Sequence, residues 1–112
     1  MEKSDRPWGR YEVLAESANY KVKVITVFSG KRLSYQRHQR RAEHWFITNG
    51  TGVVTLEGVN LDVKCGSTVD VKVNQLHRIA NTGSEDLIFI EVQTGTYFGE
   101  DDIERIEDDF GR

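Results

Sequence analysis

Cysteine and proline occur once each in this 112-residue chain, as Cys65 and Pro7. A single cysteine excludes an intrachain disulfide and points to the cytosol as the compartment. Cys65 precedes Gly66 at a predicted strand end. With no histidine near it in sequence, it reads as a structural thiol rather than a reactive one. No apolar run approaches the ~18 residues of a membrane-spanning helix. The first ten residues, MEKSDRPWGR, are polar and lack the apolar centre of a signal peptide. Neither sign of charge dominates: 15 Lys and Arg against 18 Asp and Glu leave a net charge of -3. That balance carries no basic signature for nucleic acid or an anionic membrane, and none is expected as a partner. No linker of low complexity and no internal repeat is present.

What is present fits one soluble globular domain over residues 1–112, with 38% hydrophobic and 29% charged residues. Residues 1–6 are expected to fray, and Trp8 and Tyr11 to anchor a first strand. Tyr20 to Phe28 alternates, with Tyr20, Val22, Val24, Thr26 and Phe28 on one parity and Lys21 and Lys23 on the other. The first set is the expected buried face. Extended segments follow at Leu33–Arg40, Glu43–Thr48, Val53–Leu56, Val59–Val63, Val69–Val73, His77–Asn81 and Leu87–Gln93. Glycine-containing turns such as Asn49-Gly50 and Glu57-Gly58 separate them. Short strands at this spacing predict an all-β sandwich or barrel. Ile103, Ile106 and Phe110 recur at helical spacing behind a run of acids, which predicts a short C-terminal helix over Glu100–Phe110.

Two stretches carry the chemistry. In the first, from Gly30 to Gly50, Gln36 and His38 are two apart on an extended segment and share a face. Glu43 follows after an interval long enough for a bend into the next strand. In the second, Gly66 to Asn81, His77 comes from another strand. Two imidazoles, a carboxylate and an amide oxygen suit one divalent first-row ion: Mn, Fe, Co, Ni or Zn. The set holds no thiolate, which argues against a structural zinc site.

These stretches resemble the two cupin motifs. The first matches G-x5-H-x-H-x4-E-x6-G at every spacing, with Gln36 in place of the first histidine. The second matches at Gly66, His77 and Asn81, with Lys72 and Asn74 where the motif has proline and its second glycine. More narrowly, RPWG (Arg6 to Gly9), Q-x-H-x-x-R-x-E-H-W (Gln36 to Trp45), H-R-x-x-N (His77 to Asn81) and E-V-Q-x-G-x-Y-x-G-E-D-D-I (Glu91 to Ile103) look like the type II phosphomannose isomerases. The run D-D-F-G-R (Asp108 to Arg112) completes that likeness. In that family the cupin domain usually follows a mannose-1-phosphate guanylyltransferase domain. No glycine-rich phosphate loop of that kind occurs here, so transferase activity is not carried over.

The resemblance implies a cupin-type jelly-roll β-barrel and a metal-dependent isomerase interconverting mannose 6-phosphate and fructose 6-phosphate. Such a reaction moves a proton between C1 and C2. It needs a base, a stabilised enediolate and a cationic grip on the sugar phosphate. The expected metal ligands are Gln36, His38, Glu43 and His77. Arg41 is the expected substrate contact, and Glu43 or Glu91 the proton carrier. His44 points away from Glu43 by strand parity, whereas Trp45 shares its side. A metal- or sugar-binding cupin without turnover, or an isomerase of another sugar phosphate, fits the same residues. Small cupins commonly pair, and the apolar N-terminal strand offers an edge for a homodimer.

Overall fold

The computed structural model describes residues 2–111. Regular structure in them is entirely β: β1 (Lys3–Arg6), β2 (Gly9–Glu16), β3 (Tyr20–Val27), β4 (Tyr35–Arg37), β5 (Arg41–Asn49), β6 (Thr51–Leu56), β7 (Val59–Lys64), β8 (Thr68–Val71), β9 (His77–Asn81), β10 (Leu87–Gly95) and β11 (Glu104–Glu107). They form a six-stranded sheet, in the order β1-β2-β3-β10-β5-β8, and a five-stranded one, β11-β4-β9-β6-β7. Every pairing is antiparallel. This is the cupin-type jelly roll that the motif resemblance implies. The described residues include no helix long and apolar enough to cross a membrane.

Alternation places the core. Ile25, Val27, Trp45, Ile47, Leu87 and Phe89 of the larger sheet are buried against Val54 and Ile79 of the smaller one. Two turns show how local chemistry shapes the chain. Glu57 and Gly58 have φ of 46° and 80°, which lets β6 fold back on β7 with Leu56 opposite Val59. Asn49-Gly50 does something else. It passes the chain from β5 in one sheet to β6 in the other. Gly50 has φ of 87°, and a Cβ there would lie 2.6 Å from the Asp86 carbonyl oxygen.

Several expectations are corrected. The C-terminal helix does not form; β11 pairs instead with β4, Glu104 opposite Arg37 and Arg105 opposite Gln36. A short acidic helix has little stability of its own, and the free edge of β4 offers its backbone better partners. Residues 3–6 are not frayed: β1 pairs with β2, and the edge it leaves open is polar and only four residues long. The edge of β2 is therefore not available to a second copy. In β3 the parity is reversed. Lys23, Ile25 and Val27 point inward, while Val22 and Val24 are half-buried on the outer side. Cys65, read from the sequence as a structural thiol, is exposed. Only Tyr35–Arg37 of the predicted Leu33–Arg40 strand is paired as one.

Candidate metal centre

One end of the barrel holds a cavity of about 100 Å³ lined by Gln36, His38, Arg41, Glu43, His77 and Glu91 among others. His38, Glu43 and His77 are all buried there, with one ligand atom of each within 4.8 Å of the others. His38 Nε2 is 3.4 Å from Glu43 Oε2, and His77 Nε2 is 3.8 Å from Glu43 Oε1.

The second nitrogen of each ring says which atom faces the cavity. His38 Nδ1 is 2.6 Å from the Asp102 carbonyl oxygen, and His77 Nδ1 is 2.8 Å from that of Gln75. A carbonyl only accepts, so each Nδ1 donates and each Nε2 is the nitrogen turned toward the cluster. Both Nε2 atoms then face the Glu43 carboxylate. Burial lowers the pKa of His38, with Glu43 opposing the shift and Arg41 adding to it. A neutral ring with Nε2 free is the form that binds a cation, and a backbone acceptor on the far nitrogen is the usual way to orient such a ring. The donor set therefore fits a divalent ion.

Gln36 enters from β4, where it lies opposite His77. Its amide nitrogen donates to the Ser34 hydroxyl at 3.1 Å and approaches the Ser34 carbonyl at 3.3 Å. Arg41 crosses the cluster. Its Nε donates to Glu43 Oε2 at 3.0 Å, and Nη2 lies 3.3 Å from His38 Nε2. Trp45 donates from Nε1 to Glu43 Oε1 at 3.0 Å and packs on Phe89 and His77, so it is cavity wall and core together. His44 is exposed and meets Asp70 on the outer side.

Glu91 faces inward, buried, and accepts from Gln93 Nε2 at 2.5 Å. Burial, then the charge of Glu43, pushes its pKa up to about 8. Glu43 moves the other way. Burial alone would raise its pKa, but Arg41, His77, His38 and a hydrogen bond from Glu91 together hold it below the usual carboxylate range. The two carboxyls thus shift in opposite directions, Glu91 toward keeping its proton and Glu43 toward losing it.

Arg37 and Arg40 lie outside the cluster, paired with Glu104 and stacked over Tyr97 respectively. Arg78 lines the cavity but is bound to the Leu33 carbonyl and to Glu107. The second motif's departure at Asn74 changes little in the backbone. Asn74 has φ of 65°, a conformation that asparagine tolerates in place of glycine, and its N–H donates to the His38 carbonyl.

Residues 1–108 match the family described as mannose-6-phosphate isomerase C-terminal. The chain belongs to that family. It is 45% identical over 107 residues to the alginate biosynthesis protein AlgA of Pseudomonas aeruginosa, covering 96% of this chain and 22% of that protein. It is 41% identical over 107 residues to a mannose-1-phosphate guanylyltransferase of Escherichia coli, covering 96% of this chain and 23% of that one. The chain thus spans less than a quarter of the length of these relatives. Among solved structures, a double-stranded β-helix protein from Klebsiella pneumoniae aligns with a TM-score of 0.75 at 23% identity, over 85% of this chain and 81% of that one. That likeness concerns the fold alone.

Within this mannose-6-phosphate isomerase C-terminal domain, strand periodicity does not find Lys23, Glu100 or Asp102. Lys23 is missed because both parities of β3 carry apolar residues. Asp102 lies 64 residues from His38, so no local spacing links them. Its carboxylate also accepts from the backbone N–H of Gln39 and Arg40, which anchors the His38 loop. The only signal for Glu100 and Asp102 is the E-D-D-I run that the family resemblance includes.

Proposed function

We propose that this chain is a metal-dependent aldose–ketose isomerase interconverting mannose 6-phosphate and fructose 6-phosphate. The observation that carries the reading is a histidine–carboxylate cluster beside a second buried carboxyl, Glu91, whose pKa is raised to about 8. A group that titrates near neutrality can both accept and return a proton, as transfer between C1 and C2 demands.

Gln36, His38, Glu43 and His77 would hold the ion. When bound, it supplies Lewis-acid polarisation of the sugar carbonyl. Glu43 is bound to Arg41 and Trp45 and faces both imidazoles. Its low basicity suits a ligand, and Glu91 takes the role of base. Arg41, buried and charged, contacts the anionic part of the substrate. The reading also includes a cytoplasmic location and a single domain. A homodimer would form through the outer face of β3, β10 and β5, where Val24, Ile90 and the 48%-exposed Phe46 lie in one row. A monomer by light scattering would remove the dimer.

The test is incubation of metal-loaded protein with mannose 6-phosphate in deuterated water. Fructose 6-phosphate carrying deuterium at C1 is expected. Turnover of a different hexose phosphate only would move the substrate assignment. No product with any of Mn, Fe, Co, Ni or Zn would favour a binding module without turnover.

A further inference from the structure

Five cations line the cavity; Arg105 is exposed on β11, and the other four differ in what their donors already do. Arg6 donates to Ser4, to the Asp5 carbonyl and to the Tyr11 hydroxyl. Arg78 is spent on Leu33 and Glu107. Lys23 and Arg41 are not satisfied in this way. The Lys23 side chain is 4% exposed, yet its ammonium, with three donors, has one hydrogen-bond acceptor among the described residues, Glu100 Oε1 at 3.2 Å. Its other close neighbour is the face of Tyr11, 4.3 Å from the ring centroid. Arg41 Nη1 is buried with no hydrogen-bond partner among the described residues, and Glu100 Oε2 lies 3.7 Å from it.

One carboxylate therefore bridges two buried cations that retain unused donors. Glu100 is badly placed to be a permanent partner. Its side chain is 50% exposed, and it lies in the irregular connection between β10 and β11, in a turn closed from Gly99 to Asp102. Lys23 sits deeper, on β3 directly opposite Glu91. The cavity, about 100 Å³, is also small beside the ~300–1,000 Å³ of ordinary ligand pockets. Displacement of a wall group would enlarge it.

We propose that Lys23 and Arg41 form the seat for the substrate's phosphate group and that Glu100 occupies this seat until phosphate displaces it. A phosphate monoester offers three terminal oxygens to an ammonium and a guanidinium edge that together have several free N–H groups. Glu100 offers two oxygens, one of them too far from Arg41 for a hydrogen bond. Exchange of one anion for the other keeps both cations neutralised, so the buried charges are never left unpaired. As Glu100 moves out, the cavity widens beside Glu91. The inference rests on the sugar-phosphate reading above for the ligand's identity.

Binding of inorganic phosphate, and separately of mannose 6-phosphate, to the full metal-loaded chain by titration calorimetry tests it. Lys23→Met should weaken both about 10- to 100-fold, the loss expected for one charge-assisted hydrogen bond, with metal content unchanged. Glu100→Gln should tighten inorganic phosphate, because the internal competitor is gone. Glu12→Gln, an equal charge change on β2, should not. Affinity of Lys23→Met within about twofold of the parent, or a Glu100→Gln chain no tighter than Glu12→Gln, overturns the seat. Where Lys23→Met fails to fold, Glu100→Gln on its exposed turn carries the test alone. Phosphate binding that depends on Lys23, without isomerisation of any sugar phosphate, keeps the seat and sinks the enzyme. Isomerisation with a KM that Lys23→Met does not move keeps the enzyme and sinks the seat.

Discussion

Four strands change character halfway along their inward faces. In β5, Arg41 and Glu43 give way to Trp45 and Ile47; in β10, Leu87 and Phe89 give way to Glu91 and Gln93. Lys23 precedes Ile25 and Val27 in β3, and His77 precedes Ile79 in β9. All of these residues are buried. The antiparallel register brings like halves together: Glu91 lies opposite Lys23, Gln93 opposite Glu43, and Phe89 opposite both Ile25 and Ile47. One barrel thus has a dry end and a charged end at similar burial. Apolar burial at the first is directly stabilising. At the second, each charge loses hydration and regains it only through its neighbours. Stability should be concentrated in one half and chemistry in the other.

The most severe way to break this contrast is to hollow out the dry end. Phe89→Ala should lower the unfolding free energy of the metal-free chain by about 3–5 kcal/mol in a denaturant titration. A loss as small as a surface substitution gives would mean the dry end is not the stabilising half.

At the charged end the larger effect should appear only with metal. Adding a divalent ion should raise the melting temperature of the parent in a concentration-dependent way. His77→Ala should forfeit most of that rise and most of the bound ion, as measured by elemental analysis. Full occupancy in the variant would remove His77 from the ligand set.

A subtler test uses pH. In the metal-free chain Glu91 holds its proton up to about pH 8, whereas its ordinary value is 4.5. Between those values the folded chain keeps a proton that the unfolded chain has released. Stability from this group is therefore complete below pH 4.5 and is lost as pH rises through about 8. Glu43 acts in the opposite direction, and its contribution is lost only in acid, because its folded pKa is depressed. Glu91→Gln should flatten the decline toward alkaline pH. A parent whose stability does not fall over that range would contradict the raised pKa of Glu91.

The smallest effect should come from the outer surface. His44 neighbours Glu43 in sequence but has a 52%-exposed side chain that meets Asp70. His44→Ala should change stability by less than ~0.5 kcal/mol and leave metal content alone. A loss of metal would show that the outer face of β5 reaches the site.

Gln36, His38 and Glu43 are legible in the sequence through local spacing, and His77 through the likeness of the second stretch to a cupin motif. Side chains two apart on a strand share a face, and the resemblance to the paired cupin motifs implies that the two stretches meet. The same rule separates His44 from Trp45. Glu91 is legible as one of two candidate proton carriers, but not as the carboxyl whose pKa is raised. That depends on Glu43, which reaches it across the β10–β5 pairing. Where both parities of a strand are apolar, as in β3, alternation cannot say which side the second sheet will cover, and it puts Lys23 on the wrong face.

By itself the sequence determined the all-β class, the positions of most turns and the identity of the residues that could meet a metal ion. Each follows from backbone chemistry within a few residues: alternation, positive φ at glycine and asparagine, and the period of a strand. Tertiary structure decided the rest. Glu104–Glu107 became a strand because β4 had an edge to fill, against the helical spacing of Ile103, Ile106 and Phe110. Asp102 came to orient His38, and Glu100 to bridge Lys23 and Arg41, across separations of 59 residues or more that no local pattern encodes. A charge's partners in a barrel are set by which strands close around it, and closure is a property of the whole chain.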